Sequence, residues 1–523
     1  LFRSTSFLAA MALALVVGAW AWGKFYREAG EGEDVRRVAK NSLVPMLASL
    51  VNKGIDFAFA LLRLRILGPA GEGSYTFAIV FIGYFEILSR FGLGTLLTRE
   101  VAKDRACANR YFANTVALRI VLWLASLPLM LLVGLLYVRF GSLNRDEVSA
   151  IVLFALALFF ANVADAISAA FNAYEKMEYP AGLSTGIALG KVALGALVLL
   201  GGWGFVGLAG VSVVMNMVQV AMLLLLMRQH LFTPHLETDA AFQREMLMTS
   251  FPLMINHLLA TVFFRVDVLI LKPLKGEATV GLYGAAYKFI DGLNVIPAYF
   301  TLAIFPIMSR LAQSARDSLI RAYVLSLRLL LMVSLPVAVA TTFLAEPLIL
   351  ILGGAQYLPA SRIALQILIW SIPIGFINSV TQYVLIAIDQ QRFLTRAFVI
   401  GVTFNLVANF LFIPRYSYQA AAVNTILSEI ALLLPFYYCL RRNLGHIPWG
   451  RVAWQPAAAA GAMALAMAAL QAFSLLLALF VGGAVYLAGL VVVGAFRDAD
   501  VALVLGKLGP LARARRLVME RRD

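Results

Sequence analysis

The chain has 523 residues, 62% hydrophobic and only 14% charged, with a formal net charge of +15 at pH 7. Soluble domains carry about 25% charged residues, and here apolar runs of about 20 residues recur along the whole length, so a string of soluble domains is excluded. Nor does the positive charge mark a nucleic-acid binder, because Lys and Arg gather in short loops beside apolar spans.

In chain order, the first element is an apolar run at 7–22 behind Arg3. It is short for a span and resembles a signal h-region without a clear small-residue cleavage site. It reads as an additional anchor or an upstream extension, and 1–37 is set apart as an N-terminal extension. Fourteen spans follow, at about 41–66, 74–98, 112–138, 150–172, 181–200, 203–227, 248–272, 281–308, 322–344, 363–387, 393–413, 418–440, 453–472 and 474–496. The expected fold is all-α and membrane-integral: an N-lobe of spans 1–6 (38–230), a C-lobe of spans 7–12 (245–442), spans 13–14 (450–497) and a basic tail (498–523). Many spans hold a proline, among them Pro45, Pro128, Pro252, Pro336 and Pro435. Prolines are tolerated as kinks in a packed membrane bundle.

Loop charge sets the orientation. One set of alternate loops holds Arg36, Arg37, Lys40, Arg99, Lys103, Arg105, Arg110, Lys176, Arg228, Arg244, Arg310, Arg316, Arg321, Arg392, Arg396, Arg441, Arg442 and Arg451, and the tail adds more. The intervening loops hold only Arg139, Arg145, Lys272, Lys275, Arg362 and Arg415. The first set is expected to be cytoplasmic, with both ends of the fourteen-span core inside. Cys107 and Cys439 lack the spacing of a metal site or a disulfide framework.

The core repeats itself. Gly73-Ser74-Tyr75-Thr76-Phe77-Ala78 opens span 2 and Gly281-Leu282-Tyr283-Gly284-Ala285-Ala286 opens span 8. Ala173-Tyr174-Glu175-Lys176 ends span 4 and Ala387-Ile388-Asp389-Gln390 ends span 10. Gly207-Leu208-Ala209 and Ala420-Ala421-Ala422 open spans 6 and 12, and Arg119 and Arg328 match in spans 3 and 9. Six spans per repeat insert both halves the same way up, related by an axis along the membrane normal.

A charge at the bilayer centre costs about 2.5–3.5 kcal/mol even on the gentle insertion scale, so the charges inside spans must face the bundle. They are Lys53, Asp56, Arg63, Glu86, Arg90, Arg119, Asp165 and Lys191 in the N-lobe, and Arg265, Asp267, Lys288, Asp291, Arg328 and Glu429 in the C-lobe. Arg65 and Lys272, near span ends, are expected to snorkel. Asp56 and Arg63 share a helix face, with Lys53 beside Asp56, and Lys288 and Asp291 have the same spacing as Lys53 and Asp56. One reading is a cationic substrate cavity lined by Arg63, Arg265, Lys53, Arg90, Lys288, Arg119 and Arg328, since the guanidinium fork suits a phosphate. Asp56, Asp267 and Asp291 are candidates for proton or sodium coupling. In the other reading, Lys53–Asp56 and Lys288–Asp291 neutralise each other, Arg119 and Arg328 reach cytoplasmic headgroups, and Asp165 and Glu429 are packed, hydrogen-bonded residues. His257 reads as a core histidine. Asn256, Asn378, Asn405 and Asn409 can cross-link helices. The segment 311–322 reads as a short amphipathic interfacial helix. No Walker A, HExxH or His/Cys cluster is present, so no cofactor is expected and the chain does not read as an enzyme.

Three motifs resemble the polysaccharide flippase branch of the multidrug/oligosaccharidyl-lipid/polysaccharide exporter superfamily. They are Arg90-Phe91-Gly92-Leu93-Gly94-Thr95-Leu96-Leu97-Thr98-Arg99-Glu100-Val101-Ala102, then Gly353-Gly354-Ala355-Gln356-Tyr357-Leu358-Pro359-Ala360, then Phe412-Ile413-Pro414-Arg415-Tyr416 with Ala420-Ala421-Ala422. Gln419 and Ala420 stand where members often carry glycine. The resemblance covers about 38–440. It implies a two-lobed, V-shaped bundle in the cytoplasmic (inner) membrane. Such a bundle works by alternating access, moving a polyprenyl-diphosphate-linked, anionic oligosaccharide to the outer leaflet. It also implies arginines on the first helix of each lobe, where Arg63 and Arg265 stand, contact with membrane lipids, and polysaccharide polymerase machinery as a partner. The alternatives are a lipid II flippase or a multidrug antiporter of the same superfamily. From a different class, the alternative is a membrane-embedded polymerase or glycosyltransferase.

Overall fold

The computed structural model describes residues 33–139 and 143–495, with side chains from 44 onward except that of Arg451. The apolar run at 7–22 and the basic tail lie outside the described residues. Among the described residues the regular structure is helical throughout, and eleven helical stretches are long and apolar enough to cross a membrane. Three of these are too long for one crossing. Glu33–Arg90 has 58 residues, and Ala240–Leu293 and Gln391–Leu444 have 54 each. A straight helix of that size would run about 80–87 Å, against a hydrocarbon core of about 30 Å.

Each of the three reverses at a single residue outside helical φ/ψ: Gly68 (φ 65°), Gly276 (φ 80°) and Ser417 (φ 55°). Side chains on either side of each break meet. Arg63 and Tyr75 would lie about 18 Å apart along an unbroken helix, yet the guanidinium carbon sits 4.3 Å from the ring centroid. Tyr283 donates to Asp267 across the second break, and Asn424 donates to Asn409 at 3.0 Å across the third. The long helices are therefore hairpins of two spans. Counting each as two turns eleven stretches into the fourteen spans expected.

The internal repeat reappears in the backbone. Gly68 and Gly276 share one conformation at matched positions. Glu175 and Asp389, matched acids at the ends of spans 4 and 10, both have φ 59°. Each closes its helix with the same pair of bonds: Lys176 N–H to Phe171 O and Glu175 N–H to Asn172 O, then Gln390 N–H to Leu385 O and Asp389 N–H to Ile386 O. This is the Schellman pattern that satisfies the last carbonyls of a helix. Gly204 (φ 59°) and Ser417 (φ 55°) match likewise where spans 6 and 12 begin. A non-glycine residue at positive φ costs about 1–2 kcal/mol, so its recurrence at one place in both repeats reflects a shared backbone demand.

Two compact units form. One comprises residues to Ala285 together with Ile351–Tyr357; the other comprises Ala286–Leu350 and the residues from Leu358 onward. The first unit runs past the 230–245 connection because span 8 crosses span 2 backbone to backbone. A Cβ on Gly73 would meet the Glu277 carbonyl, and one on Gly281 would meet the Pro69 carbonyl. The glycines of the repeated motif are thus the residues that touch. The interior of this unit is aromatic and aliphatic, with Phe77, Phe81 and Phe85 of span 2 against Phe154 and Leu158 of span 4. In the second unit, spans 13 and 14 pack on span 9 through Met332, Met463, Met467 and Tyr486, and the Tyr486 hydroxyl donates to the Met332 carbonyl at 2.8 Å.

Many large apolar side chains are exposed in the isolated chain, such as Leu131, Leu132 and Leu135 on span 3 and Leu476 and Phe480 on span 14. Patches of that extent are untenable in water and normal against acyl chains. The expectation of one amphipathic helix over 311–322 is corrected. Ala315 leaves helical φ/ψ (−155°, 89°), ending one helix at Ser314 before the next begins at Arg316.

Candidate functional site

Four arrangements of intramembrane charge emerge, and they differ in what they leave accessible. The first is the span 1–2 hairpin. Arg63 is 6% exposed and gives both arms of its fork to Glu72, Nε to Oε2 at 2.7 Å and Nη2 to Oε1 at 2.6 Å. Tyr75 covers its face. This side chain holds the hairpin closed. Beside the break at Gly68, the Arg65 carbonyl has no helical partner, since Pro69 has no N–H to give. The 353–360 motif supplies replacements: the Tyr357 hydroxyl donates to Leu64 O at 3.1 Å, and the Gln356 amide lies 3.4 Å from both carbonyls. Arg65, exposed as expected of a snorkelling residue, donates to Ile351 O at 2.7 Å.

The second arrangement corrects an expectation. Lys272 does not snorkel; it is 2% exposed and ion-paired with Glu147, with Glu277 at 3.1 Å. Glu147 divides its oxygens. Oε2 accepts from Asn144 N–H to close a capping box at the start of span 4, and Oε1 takes Lys272. An ammonium removed from water needs such partners, because an unpaired one would cost several kcal/mol. The box is legible in sequence; the lysine that completes it is 125 residues away.

The third is a network joining spans 2, 3 and 4. Arg90 bonds Glu86 at 2.8 Å and lies 3.7 Å from Asp165, which pairs with Arg119 at 2.7 Å. Arg119 is 1% exposed and also donates to the Asn162 carbonyl, so it does not reach headgroups. The Asn162 amide donates to Ser89 at 3.0 Å. This network explains the first family motif. Phe91 (φ 51°) and Gly92 (φ 73°) break the helix after Arg90, and Gly94 lets the next helix pass over the ion pair. A Cβ there would lie 2.9 Å from Arg119 Nη2 and 3.3 Å from Asp165. Unlike Arg63, the outer members stay reachable: Arg90, Glu86 and Asp165 side chains are 32%, 36% and 36% exposed.

The fourth lies on the same helices. A cavity of about 370 Å³ is lined by Asn52, Lys53 and Asp56 of span 1, Ser168 and Asn172 of span 4, and Pro180 and Ser184 of span 5. Asp165, Ser168 and Asn172 share one face of span 4, as Ser184 and Lys191 do on span 5. Asn52 bonds Ser184 at 3.1 Å. Lys53 and Asp56 are both exposed. Together the third and fourth arrangements give the first unit a polar, partly cationic face of amides, hydroxyls and both signs of charge.

The C-lobe candidates are placed as follows. Arg265 is half-buried in span 7, and Asp267, 5% exposed, accepts from Tyr283 and from Val268 N–H. In the second unit Lys288 and Asp291 are half-buried and Arg328 is 7% exposed. Glu429 is buried and bonded by Asn378, whose amide reaches its Oε2 at 2.7 Å and its backbone carbonyl at 2.8 Å. Asn405 bonds Ser428 and Asn409, and Asn409 bonds Asn424, so those asparagines do cross-link helices. Among the described residues no group of three metal-ligating side chains forms.

Fourteen crossings, two matched repeats and a polar face walled by helices define a multi-pass membrane transporter. Comparison with known proteins agrees. Residues 38–312, more than half of the chain, match the family described as polysaccharide biosynthesis protein, and 252–411 match the MatE family. The chain belongs to the polysaccharide biosynthesis protein family, within the multidrug/oligosaccharidyl-lipid/polysaccharide exporter superfamily. It is 20% identical over 422 residues to the capsular polysaccharide biosynthesis protein CapF of Staphylococcus aureus, covering 77% of this chain and 100% of that one. In fold it is similar to the lipid II flippase MurJ in an inward closed conformation, with TM-score 0.72, 14% identity, and 87% and 99% of the two chains covered. It is also similar to an inward-facing multidrug resistance MATE transporter, with TM-score 0.59, 15% identity, and 77% and 97% covered. At these identities the two structures speak for the fold.

Proposed function

We propose that this transporter flips a lipid-linked, negatively charged oligosaccharide from the inner to the outer leaflet of the cytoplasmic membrane by alternating access, for cell-surface polysaccharide synthesis. The observation that carries this reading is the accessible face of the first unit. Its half-exposed Arg90 and exposed Lys53 can meet a diphosphate, while Asn52, Asn172, Ser168 and Ser184 offer the amides and hydroxyls that sugars bond. The relation to a capsular polysaccharide protein supports a saccharide cargo, and the likeness to a lipid II flippase supports a lipid-linked one. A multidrug antiporter is the competing reading, and the accessible Arg90 and Lys53 are what favour an anion over a cationic drug. The basic loops support an orientation with both ends of the fourteen-span core on the cytoplasmic side. Among the three candidate coupling acids, Asp56 fits exchange of a proton or sodium ion best, because it is exposed in the cavity whereas Asp267 is tied to Tyr283. A polymerase that receives the flipped oligosaccharide is the natural partner.

The test is translocation of a fluorescent polyprenyl-diphosphate oligosaccharide in proteoliposomes. Arg90→Ala and Lys53→Ala should each slow flipping by at least about tenfold, the loss of roughly one charge-assisted hydrogen bond. A native protein that is folded yet moves a cationic drug and none of several anionic glycolipids would reverse the assignment.

A further inference from the structure

A second cavity, of about 320 Å³, lies in the second unit where span 12 turns into span 13. Its wall is Leu434 and Tyr437 from the end of one helix, His446, Ile447 and Pro448 from the turn, and Trp449 from the start of the next. The Tyr437 and Trp449 rings meet edge to face, 4.9 Å between centroids. Trp449 Nε1 is buried and has no hydrogen-bond partner among the protein atoms, although an indole N–H removed from water nearly always finds one. Leu434, Tyr437 and Arg441 follow one another on a single helix face, so the exposed Arg441 continues the wall by one turn beyond the apolar floor, with exposed Arg442 beside it.

We infer that this cavity is a binding site for an anionic phospholipid of the basic leaflet. The floor is apolar and aromatic, as an acyl chain requires. The wall includes an exposed imidazole and a buried indole donor without an acceptor, and two exposed guanidinium groups follow one turn beyond it, the groups a phosphodiester requires. The site lies at span ends, where headgroup and chain of one lipid part company. Basic pockets between spanning helices at this level select anionic headgroups, each cation near the surface being worth about 1 kcal/mol, and Trp and Tyr settle there for their amphipathic rings. The site is remote in sequence from the polar face of spans 1–5 and stands independently of the cargo proposed above. Bound lipid would brace the span 12–13 turn, to which spans 13 and 14 are joined.

Native mass spectrometry of the full chain, released from neutral detergent, tests this directly. The protein is titrated separately with phosphatidylglycerol, with phosphatidylcholine of the same acyl chains, and with inorganic phosphate. Phosphatidylglycerol should occupy its first site at concentrations about thirtyfold lower than phosphatidylcholine, the preference that two surface cations supply, and phosphate alone should not bind. Arg441→Gln with Arg442→Gln should abolish the preference. Trp449→Phe, which keeps the ring and removes the N–H, should weaken both lipids several-fold, since each carries a phosphodiester, and should leave the preference between them in place. Equal binding of the two lipids by native protein, full retention of the preference in the Arg441→Gln, Arg442→Gln variant, or undiminished lipid binding by Trp449→Phe would overturn the assignment. Phosphate binding as tight as the lipid would overturn the acyl-chain half of it.

Discussion

Arg63 shows how a single residue divides between what a sequence reveals and what it hides. A guanidinium within an apolar span announces that it must be paired or face a cavity. Glu72, its partner, falls in the connection between two expected spans, and nothing in spacing says that the chain reverses tightly enough to bring it back. The consequence is a shift of role. Removing Arg63 should act on stability by stranding a buried carboxylate, at a cost of about 3–5 kcal/mol. Arg63→Ala should therefore lower the melting temperature of the purified protein sharply, and Arg63→Met with Glu72→Leu should recover much of the loss. An unchanged melting temperature in Arg63→Ala would mean that the pair does not hold the hairpin. Lys272 teaches the same point: its place near a span end suggests snorkelling, and only the fold supplies Glu147 and Glu277.

Among elements, the hairpins and their crossing set the architecture. The repeat was legible because both copies keep the G-x-Y-x-x-A pattern, yet its reason was not. Gly73 and Gly281 are conspicuous in a sequence only as small residues, whereas in the fold each leaves room for the backbone beside the other. Gly73→Ala or Gly281→Ala should drive a Cβ into a main-chain carbonyl, one of the few single changes expected to cost more than about 4 kcal/mol. Both should fail to yield monodisperse protein, while Gly83→Ala, in open space on the same span, should be well tolerated. Monodisperse, native-like Gly73→Ala protein would contradict the close crossing.

The connection ahead of span 7, where the helix begins at Ala240, gives a pH-dependent counterpart. Asp239 accepts N–H bonds from Phe242 and Ala241 and pairs with Arg110 at 3.1 Å. Those contacts, the Phe242 N–H first, hold its carboxyl below the usual aspartate range. A carboxyl so depressed stabilises the fold fully above its unfolded pKa of about 3.9 and loses that contribution as pH falls through the folded value. The melting-temperature gap between native protein and Asp239→Ala should be widest at neutral pH and close in acid. A gap that persists unchanged at the lowest workable pH would argue against the cap.

For the whole molecule, hydropathy, loop charge and repeat offset were enough to read fourteen spans in two matched sets, because the bilayer limits each crossing to one helix of set length. The candidate site was legible in part. Arg90, Arg119, Lys53 and Asp56 were marked by their charge, but their division into a paired network and an open cavity depends on which helices pack together. Glu86 and Asp165 were marked by charge as well, whereas Asn172 and Ser184 gain meaning only from that packing. The proposed transport rests on the polar face of spans 1–5. It is tested most directly by lipid-linked oligosaccharide flipping in proteoliposomes, comparing native protein with Arg90→Ala while melting temperature is followed in parallel. The expected result is rapid flipping by native protein and at least about a tenfold loss in Arg90→Ala with the melting temperature nearly kept. Undiminished flipping by the variant would contradict it.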